Sequence, residues 1–157
     1  MSRTLKYPVD ETTIAEIAAL VTVAVNGAAG ALAGLRWWQV RPGDAFWPLL
    51  RAGQVVAVLQ AVVAGALAIA GYEPADGLYW LYALLPVAIG FVGEQLRIVS
   101  AEQVLENREL PDAQAVGALP DAEQRSVVLA IVRREIGVMA LAALVVAFLS
   151  LRAALVA

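Results

Sequence analysis

Six charged side chains interrupt otherwise apolar segments of this chain, and they are the groups best suited to bind or pair with a charged partner. Glu94 and Arg97 are three residues apart, which places them on one face of a helix where they can form an ion pair. Ionisable groups are costly to keep in apolar surroundings, so the set predicts either paired structural charges or a binding site. The six residues are Arg51, Glu94, Arg97, Arg133, Arg134 and Glu135.

Three amide side chains lie deeper inside apolar segments: Asn26, Gln54 and Gln60. An amide without a hydrogen-bond partner is unfavourable in such surroundings, so each is predicted to bond to a neighbouring helix or a trapped water. The alternative is that the three amides line a polar path for a ligand or an ion toward Glu94.

Four long apolar segments hold these residues, at about 14–35, 46–70, 78–99 and 127–152. At about 1.5 Å per residue, each is long enough to cross a hydrocarbon core of about 30 Å as a helix. The chain is 61% hydrophobic and 16% charged, with a mean hydropathy of +0.75. It is therefore predicted to be an integral membrane protein, with the lipid bilayer as its first partner and residues 1–157 as one membrane domain.

Composition also excludes several classes of function. A net charge of −3 offers no basic surface for nucleic acid. Cysteine and histidine are both absent, which excludes disulfides, thiolate chemistry, histidine-ligated haem and the usual structural zinc sites. No cofactor, metal site or enzymatic activity is predicted, because no nucleophile or base is visible apart from the carboxylates. Abundant alanine and arginine favour a bacterial source.

The distribution of basic residues predicts the orientation in the membrane. Eight of the eleven Lys and Arg residues fall on the side of the first and third connections: Arg36, Arg41, Arg51, Arg97, Arg108, Arg125, Arg133 and Arg134. The other side has Arg3, Lys6 and Arg152. Basic residues are retained on the cytoplasmic side, so both termini are predicted outside a bacterial inner membrane. Trp and Tyr cluster at the ends of the segments, as they do at membrane interfaces.

The connections predict an up-down-up-down bundle of four transmembrane helices. Pro and Gly in Arg41-Pro42-Gly43-Asp44, and again between residues 71 and 77, are typical of short turns between antiparallel helices. The third connection, at about 100–126, is longer and predicts a cytoplasmic helical extension. There the third helix either continues past Ser100 or a separate helix begins at a Ser100 and Gln103 capping box. Leu-Pro-Asp-Ala at 110–113 and at 119–122 predicts two further helix starts, with each proline in the first turn.

Small residues and one proline predict how the helices pack. Gly27, Gly30 and Gly34 would let a second helix approach closely, either within one chain or in a homo-oligomer. Pro86 leaves the carbonyl of Tyr82 without its helical partner and is predicted to bend the third helix. Such a bend either fits helices together or shapes a ligand cavity.

Two short stretches, Leu78-Tyr79-Trp80-Leu81-Tyr82 and Leu149-Ser150-Leu151-Arg152-Ala153, carry a resemblance to a group of proteins. The chain resembles uncharacterised small four-helix membrane proteins of high-GC bacteria. Its outline is also similar to membrane cytochrome b subunits, but those hold haem with histidines that this chain lacks.

These features support three hypotheses for function. The first is a non-enzymatic scaffold or accessory subunit of a membrane complex, which contacts its partners through the cytoplasmic extension. The second is a small oligomeric transporter or channel with a path past Asn26, Gln54 and Gln60 to Glu94. The third is a lipid- or quinone-binding protein. The charged set would bind anionic lipid headgroups if it is an anchor at the inner membrane face.

Overall fold

The computed structural model describes residues 10–39 and 46–157, and this part of the chain is helical. The helices are α1 (Glu11–Gln39), α2 (Phe46–Ala70), α3 (Leu78–Glu106), α4 (Ala113–Gly117) and α5 (Asp121–Leu155). All but α4 are long and apolar enough to cross a membrane. The prediction of an all-helical fold with four long apolar helices is therefore confirmed for the described residues, and these helices are consistent with a small membrane protein.

The four long helices pack unevenly. Helix α5 makes extensive contacts with both α1 and α3, and α1 also packs along α2, whereas the contact between α2 and α3 is much less extensive. Small residues bring the closely packed pairs together. At Gly30, for example, an added Cβ would lie 2.7 Å from Leu144 Cγ on α5. Helices α2 and α3 therefore pack against each other more loosely than α1 and α2 do, and we call their contact the α2–α3 seam.

Two buried clusters hold the helices at either end. One joins the first turns of α1 and α3 to the last turns of α2 and α5, and its members are Ala15, Ala19, Ala64, Leu67, Tyr72, Tyr79, Ala83 and Ala153. The other joins the end of α1 and the start of α2 to the middle of α5, and its members are Ala29, Ala33, Phe46, Leu50, Ile136, Met139, Ala140 and Ala143. Alanine is frequent in both clusters, which lets the helix backbones approach closely.

The outward faces of the long helices are also apolar. Ile69 on α2 is 91% exposed and Phe91 on α3 is 66% exposed, and many other large apolar side chains are half exposed. A helix with apolar residues on all sides is expected where the surroundings are lipid instead of water.

Of the three glycines predicted to mediate packing, only Gly30 does so within the described residues. Gly27 and Gly34 have no neighbour within 4 Å of the position that a Cβ would occupy. A role for these two in a homo-oligomer stays a prediction.

The turn between α2 and α3 forms where the sequence predicts it. Gly71 has a φ of 85°, which favours glycine, and the amides of Gly71 and Tyr72 donate to the carbonyls of Ala68 and Leu67. This is the Schellman arrangement that commonly ends a helix. Asp76 Oδ1 then accepts a hydrogen bond of 2.9 Å from the amide of Leu78 at the start of α3.

Helix α3 continues through Ser100 to Glu106, so the capping-box alternative of a separate helix is wrong. Both Leu-Pro-Asp-Ala stretches precede helix starts as predicted, although neither proline lies in the first helical turn. At the first, Asp112 is the N-cap of α4 and accepts a hydrogen bond from the amide of Ala115. At the second, Pro120 is itself the N-cap of α5.

Side-chain hydrogen bonds tie the long connection to α5. Arg108 Nη2 donates to Ser126 Oγ at 3.1 Å, and Gln124 Nε2 donates to the carbonyls of Gly117 and Leu119. The region between α3 and α5 is therefore hydrogen-bonded to the start of α5 and contains one short helix, α4. The Arg41–Asp44 turn and the basic residues Arg3 and Lys6 lie outside the described residues.

Candidate binding cavity beside α3

A cavity of about 200 Å³ lies among α1, α2, α3 and α5. On α3 it is lined by Pro86, Gly90 and Glu94, whose spacing of four residues places them in one stripe of the helix. Gly90 has nothing within 4 Å of the position of a Cβ, so its missing side chain contributes directly to the open space. The sequence left open whether Pro86 fits helices together or shapes a ligand cavity; Pro86 does line a cavity, and a ligand in it stays a prediction.

The cavity is mostly apolar and reaches the outer face of the bundle. Leu50, Ala57, Met139, Ala143 and Val146 form much of its inner wall. Its lining also includes residues that are substantially exposed between α2 and α3: Val58 (49%), Val87 (37%) and Phe91 (66%). An apolar molecule outside the bundle could therefore enter through the loose α2–α3 seam.

Glu94 forms the polar end of the cavity. Its Oε1 accepts hydrogen bonds from Arg51 Nη1 at 2.6 Å and from Gln54 Nε2 at 2.7 Å. Its Oε2 accepts from Arg97 Nε at 3.2 Å. The carboxylate thus has three donors from two helices, and two of them are charged guanidinium groups, which form the stronger class of hydrogen bond.

Arg97 extends this network to α5. Its Nη1 lies 3.8 Å from Glu135 Oε1, and its guanidinium carbon lies 5.4 Å from the centre of the Trp47 ring. At that distance the cation is attracted to the face of the ring. Five side chains are therefore connected, and we call them the Glu94 network: Arg51, Gln54, Glu94, Arg97 and Glu135.

The other two predicted charges lie apart from this network. Arg133 and Arg134 are exposed and form no ion pair with the described residues. The Arg133 guanidinium carbon lies 5.3 Å from the centre of the Trp37 ring. Arg134 lines a separate shallow groove with Gly34, Trp37 and Gly137. The structure therefore divides the six charges into a connected group of four and a peripheral pair.

Asn26 forms part of the cavity wall and bridges α1 to α2. Its Nδ2 donates to the carbonyls of Thr22 at 3.2 Å and Gly53 at 3.0 Å. A Cβ at position 53 would lie 2.6 Å from Asn26 Oδ1, so this approach requires glycine. Asn26 Oδ1 accepts no hydrogen bond from the described residues.

Gln60 is not part of the cavity lining. Its Nε2 donates to the carbonyl of Ala83, at 3.3 Å, in the turn of α3 that precedes Pro86. Gln60 Oε1 and Ser150 Oγ are buried without a hydrogen-bond partner among the described residues. The structure thus brings Asn26, Gln54 and Glu94 to one cavity and leaves Gln60 outside it.

Several residues that shape the site were not predicted from the sequence. Gly53 and the apolar lining of α2 and α5 gave no recognisable motif, because a glycine or valine in an apolar segment is ordinary. The Arg97–Trp47 contact depends on which helices become neighbours. Only the regular spacing of Pro86, Gly90 and Glu94 was a usable signal.

We compared the chain with family models, with curated proteins and with solved structures. None of them matches it. The described residues also contain no group of three or more acidic side chains that could hold a metal ion.

Replacing Glu94 by Gln should destabilise the folded protein by about 1–3 kcal/mol, because Arg51 and Arg97 would lose their shared anionic acceptor in a partly buried place. The measurement is reversible unfolding in mixed micelles. Glu102→Gln, at an exposed position of the same helix, is the matched control and should change stability little. Equal stability of the two variants would contradict the structural importance of the network.

Proposed function

We propose that this protein is a non-enzymatic, four-span membrane protein that binds a small apolar or amphipathic molecule taken laterally from the bilayer. The supporting observation is the cavity beside α3. It is apolar along most of its length, has Glu94 and Gln54 at one end, and reaches the outer face between α2 and α3. A mostly apolar concave site with a few convergent polar groups is the usual form of a small-molecule site.

The size of the cavity limits the ligand. An apolar cavity of about 150 Å³ holds one benzene molecule. About 200 Å³ therefore accommodates a small ring or part of one alkyl chain, but not a complete two-chain lipid.

The depth of the site fits an amphipathic ligand. From Leu78, the first residue of α3, the helix rises about 24 Å to Glu94, which approaches the far boundary of a hydrocarbon core of about 30 Å. The Glu94 network would then lie near the headgroup layer, and the apolar part of the cavity would extend toward the middle of the membrane.

This arrangement favours a binding site over a transport path. Gln60, which would have continued a path from Glu94, is outside the cavity and donates to a backbone carbonyl. Glu94 already accepts three hydrogen bonds, so its capacity to bind a passing cation is largely used.

The proposal includes an up-down-up-down arrangement in a bacterial inner membrane, with both termini outside and the connection between α3 and α5 in the cytoplasm. The excess of arginine near that connection supports this orientation. Because the natural chain has no cysteine, single cysteines can be introduced without background.

Ala75→Cys and Ala118→Cys should be labelled from opposite sides of the membrane by an impermeant maleimide, because they lie in connections separated by α3. In intact cells, Ala75→Cys should react and Ala118→Cys should react only after permeabilisation. Labelling of both from the same side would contradict the arrangement.

Gly90→Leu should abolish ligand binding, because the new side chain would occupy the cavity instead of displacing a neighbour. The measurement is photolabelling of the purified protein in vesicles by a long-chain alkyl probe with a mid-chain diazirine. Labelled peptides from α2 and α3 are then identified by mass spectrometry.

The matched control is Gly65→Leu, an exposed glycine on α2 that also has no neighbour within 4 Å of a Cβ. It should leave labelling near Val58 and Phe91 unchanged. Labelling that is equally strong in the wild type and Gly90→Leu would mean that the probe binds only to the outer surface, and the proposed function would be wrong.

A second candidate is the scaffold or accessory subunit predicted from the extension. One observation favours it. The connection between α3 and α5 is attached to α5 by the Arg108–Ser126 and Gln124 hydrogen bonds, and a surface that is already structured binds a partner at a lower entropic cost. Six carboxylates and two arginines lie between residues 100 and 126, so a basic partner surface is the expected match.

Replacing residues 107–120 by a Gly/Ser linker of the same length should remove a crosslinked membrane-complex partner while leaving membrane insertion intact. The measurement is crosslinking in cells followed by mass spectrometry, with crosslinks in the wild type mapped to 107–120. An unchanged set of crosslinked partners would contradict the scaffold function.

A further inference from the structure

Arg51 does not line the cavity itself, but it is hydrogen-bonded to Gln54 and Glu94 at the polar end, and much of its hydrogen-bonding capacity is unused. Its Nη1 donates to Gln54 Oε1 and Glu94 Oε1, each at 2.6 Å. Nε and Nη2 donate to none of the described residues, although a guanidinium group has five N–H donors. The side chain is 52% exposed, so these donors are accessible from outside the bundle.

The charges around Arg51 favour an anion over a cation. Glu94 already accepts hydrogen bonds from three donors, and Arg97 forms ion pairs with both Glu94 and Glu135. The unused capacity next to Glu94 is therefore that of the Nε and Nη2 donors of Arg51, and a positively charged donor group matches a carboxylate or a phosphate.

Arg51 is also adjacent in sequence to the apolar lining. Leu50, Gln54, Ala57 and Val58 all line the cavity, and together they form one side of α2 beginning next to Arg51. If the Nε and Nη2 groups of Arg51 bind the head of a ligand, its attached chain can extend along this side of α2 into the cavity.

From these observations, and building on the function proposed above, we infer that the ligand is an amphiphile with an anionic head and one alkyl chain in the cavity, and that Arg51 binds the head. Two sources have this chemistry. One is a free fatty acid, and the other is an anionic phospholipid that inserts one of its two chains.

The test compares two diazirine probes of equal chain length, a fatty acid and the corresponding fatty alcohol, with the full-length protein in vesicles of zwitterionic lipid at neutral pH. Only the acid can form a charge-assisted hydrogen bond with Arg51. The acid probe should therefore label the cavity peptides about tenfold more strongly than the alcohol probe does. Arg51→Gln should reduce labelling by the acid to the level of the alcohol and leave labelling by the alcohol unchanged.

Two further variants separate Arg51 from general surface charge. Arg51→Lys keeps the positive charge and should keep most of the preference for the acid. Arg134→Gln removes an exposed arginine beside a different groove and should leave the preference unchanged. An equal loss of preference in Arg134→Gln and Arg51→Gln would overturn the assignment to Arg51.

Competition in the wild-type protein gives a second measurement that needs no variant. Unlabelled fatty acid should displace the acid probe at lower concentration than unlabelled fatty alcohol does. Stronger displacement by an anionic phospholipid than by the free acid would identify the phospholipid as the source and still support the inference.

The labelling patterns also distinguish the two proposals. Equal labelling of the cavity by acid and alcohol in the wild type, with loss of both in Gly90→Leu, would overturn the anionic head and leave the proposed function standing. Labelling by neither probe at the cavity peptides would overturn both.

Discussion

The carboxylate of Glu94 is the interaction on which one end of this bundle depends. It receives hydrogen bonds from Arg51 and Gln54 on α2 and from Arg97 on α3, and Arg97 in turn approaches Glu135 on α5. Each arginine would be unfavourable alone at the edge of an apolar medium, and the shared anion is what permits both to lie beside the cavity. Three helices are held in register at the place where α2 and α3 otherwise pack loosely.

The loose seam and the cavity have a common physical origin. Close helix packing without a hydrophobic driving force requires small residues that fit against a neighbour, as Gly30 fits against Leu144 and Gly93 against Ala142. Gly90 is small but has no such neighbour, so its absent side chain leaves space. Glycine therefore has opposite effects at two positions of α3 that are three residues apart. One position brings α3 against α5, and the other opens the cavity.

Features set by local chemistry were predictable from the sequence, whereas features set by the choice of helix neighbours were not. Hydropathy and turn residues predicted the four long helices, the turn at Gly71 and both helix starts after Leu-Pro-Asp-Ala. The i, i+3 spacing predicted the Glu94–Arg97 pair, since both residues lie on one helix. The sequence did not indicate which of the six charged residues would contact one another across helices, because that depends on the rotation of α5 against its neighbours. The fit of Asn26 against Gly53 depends in the same way on the approach of two helices.

Helix α5 is continuous from Asp121 to Leu155, which is 35 residues or about 52 Å at the usual helical rise. Its first turns are bonded to the region between α3 and α5 through Ser126 and Gln124, and its middle supplies Met139, Ala143 and Val146 to the cavity wall. One continuous helix therefore contributes both to the attachment of the α3–α5 connection and to the wall of the cavity. A tilt of its first turns would also move Met139, Ala143 and Val146.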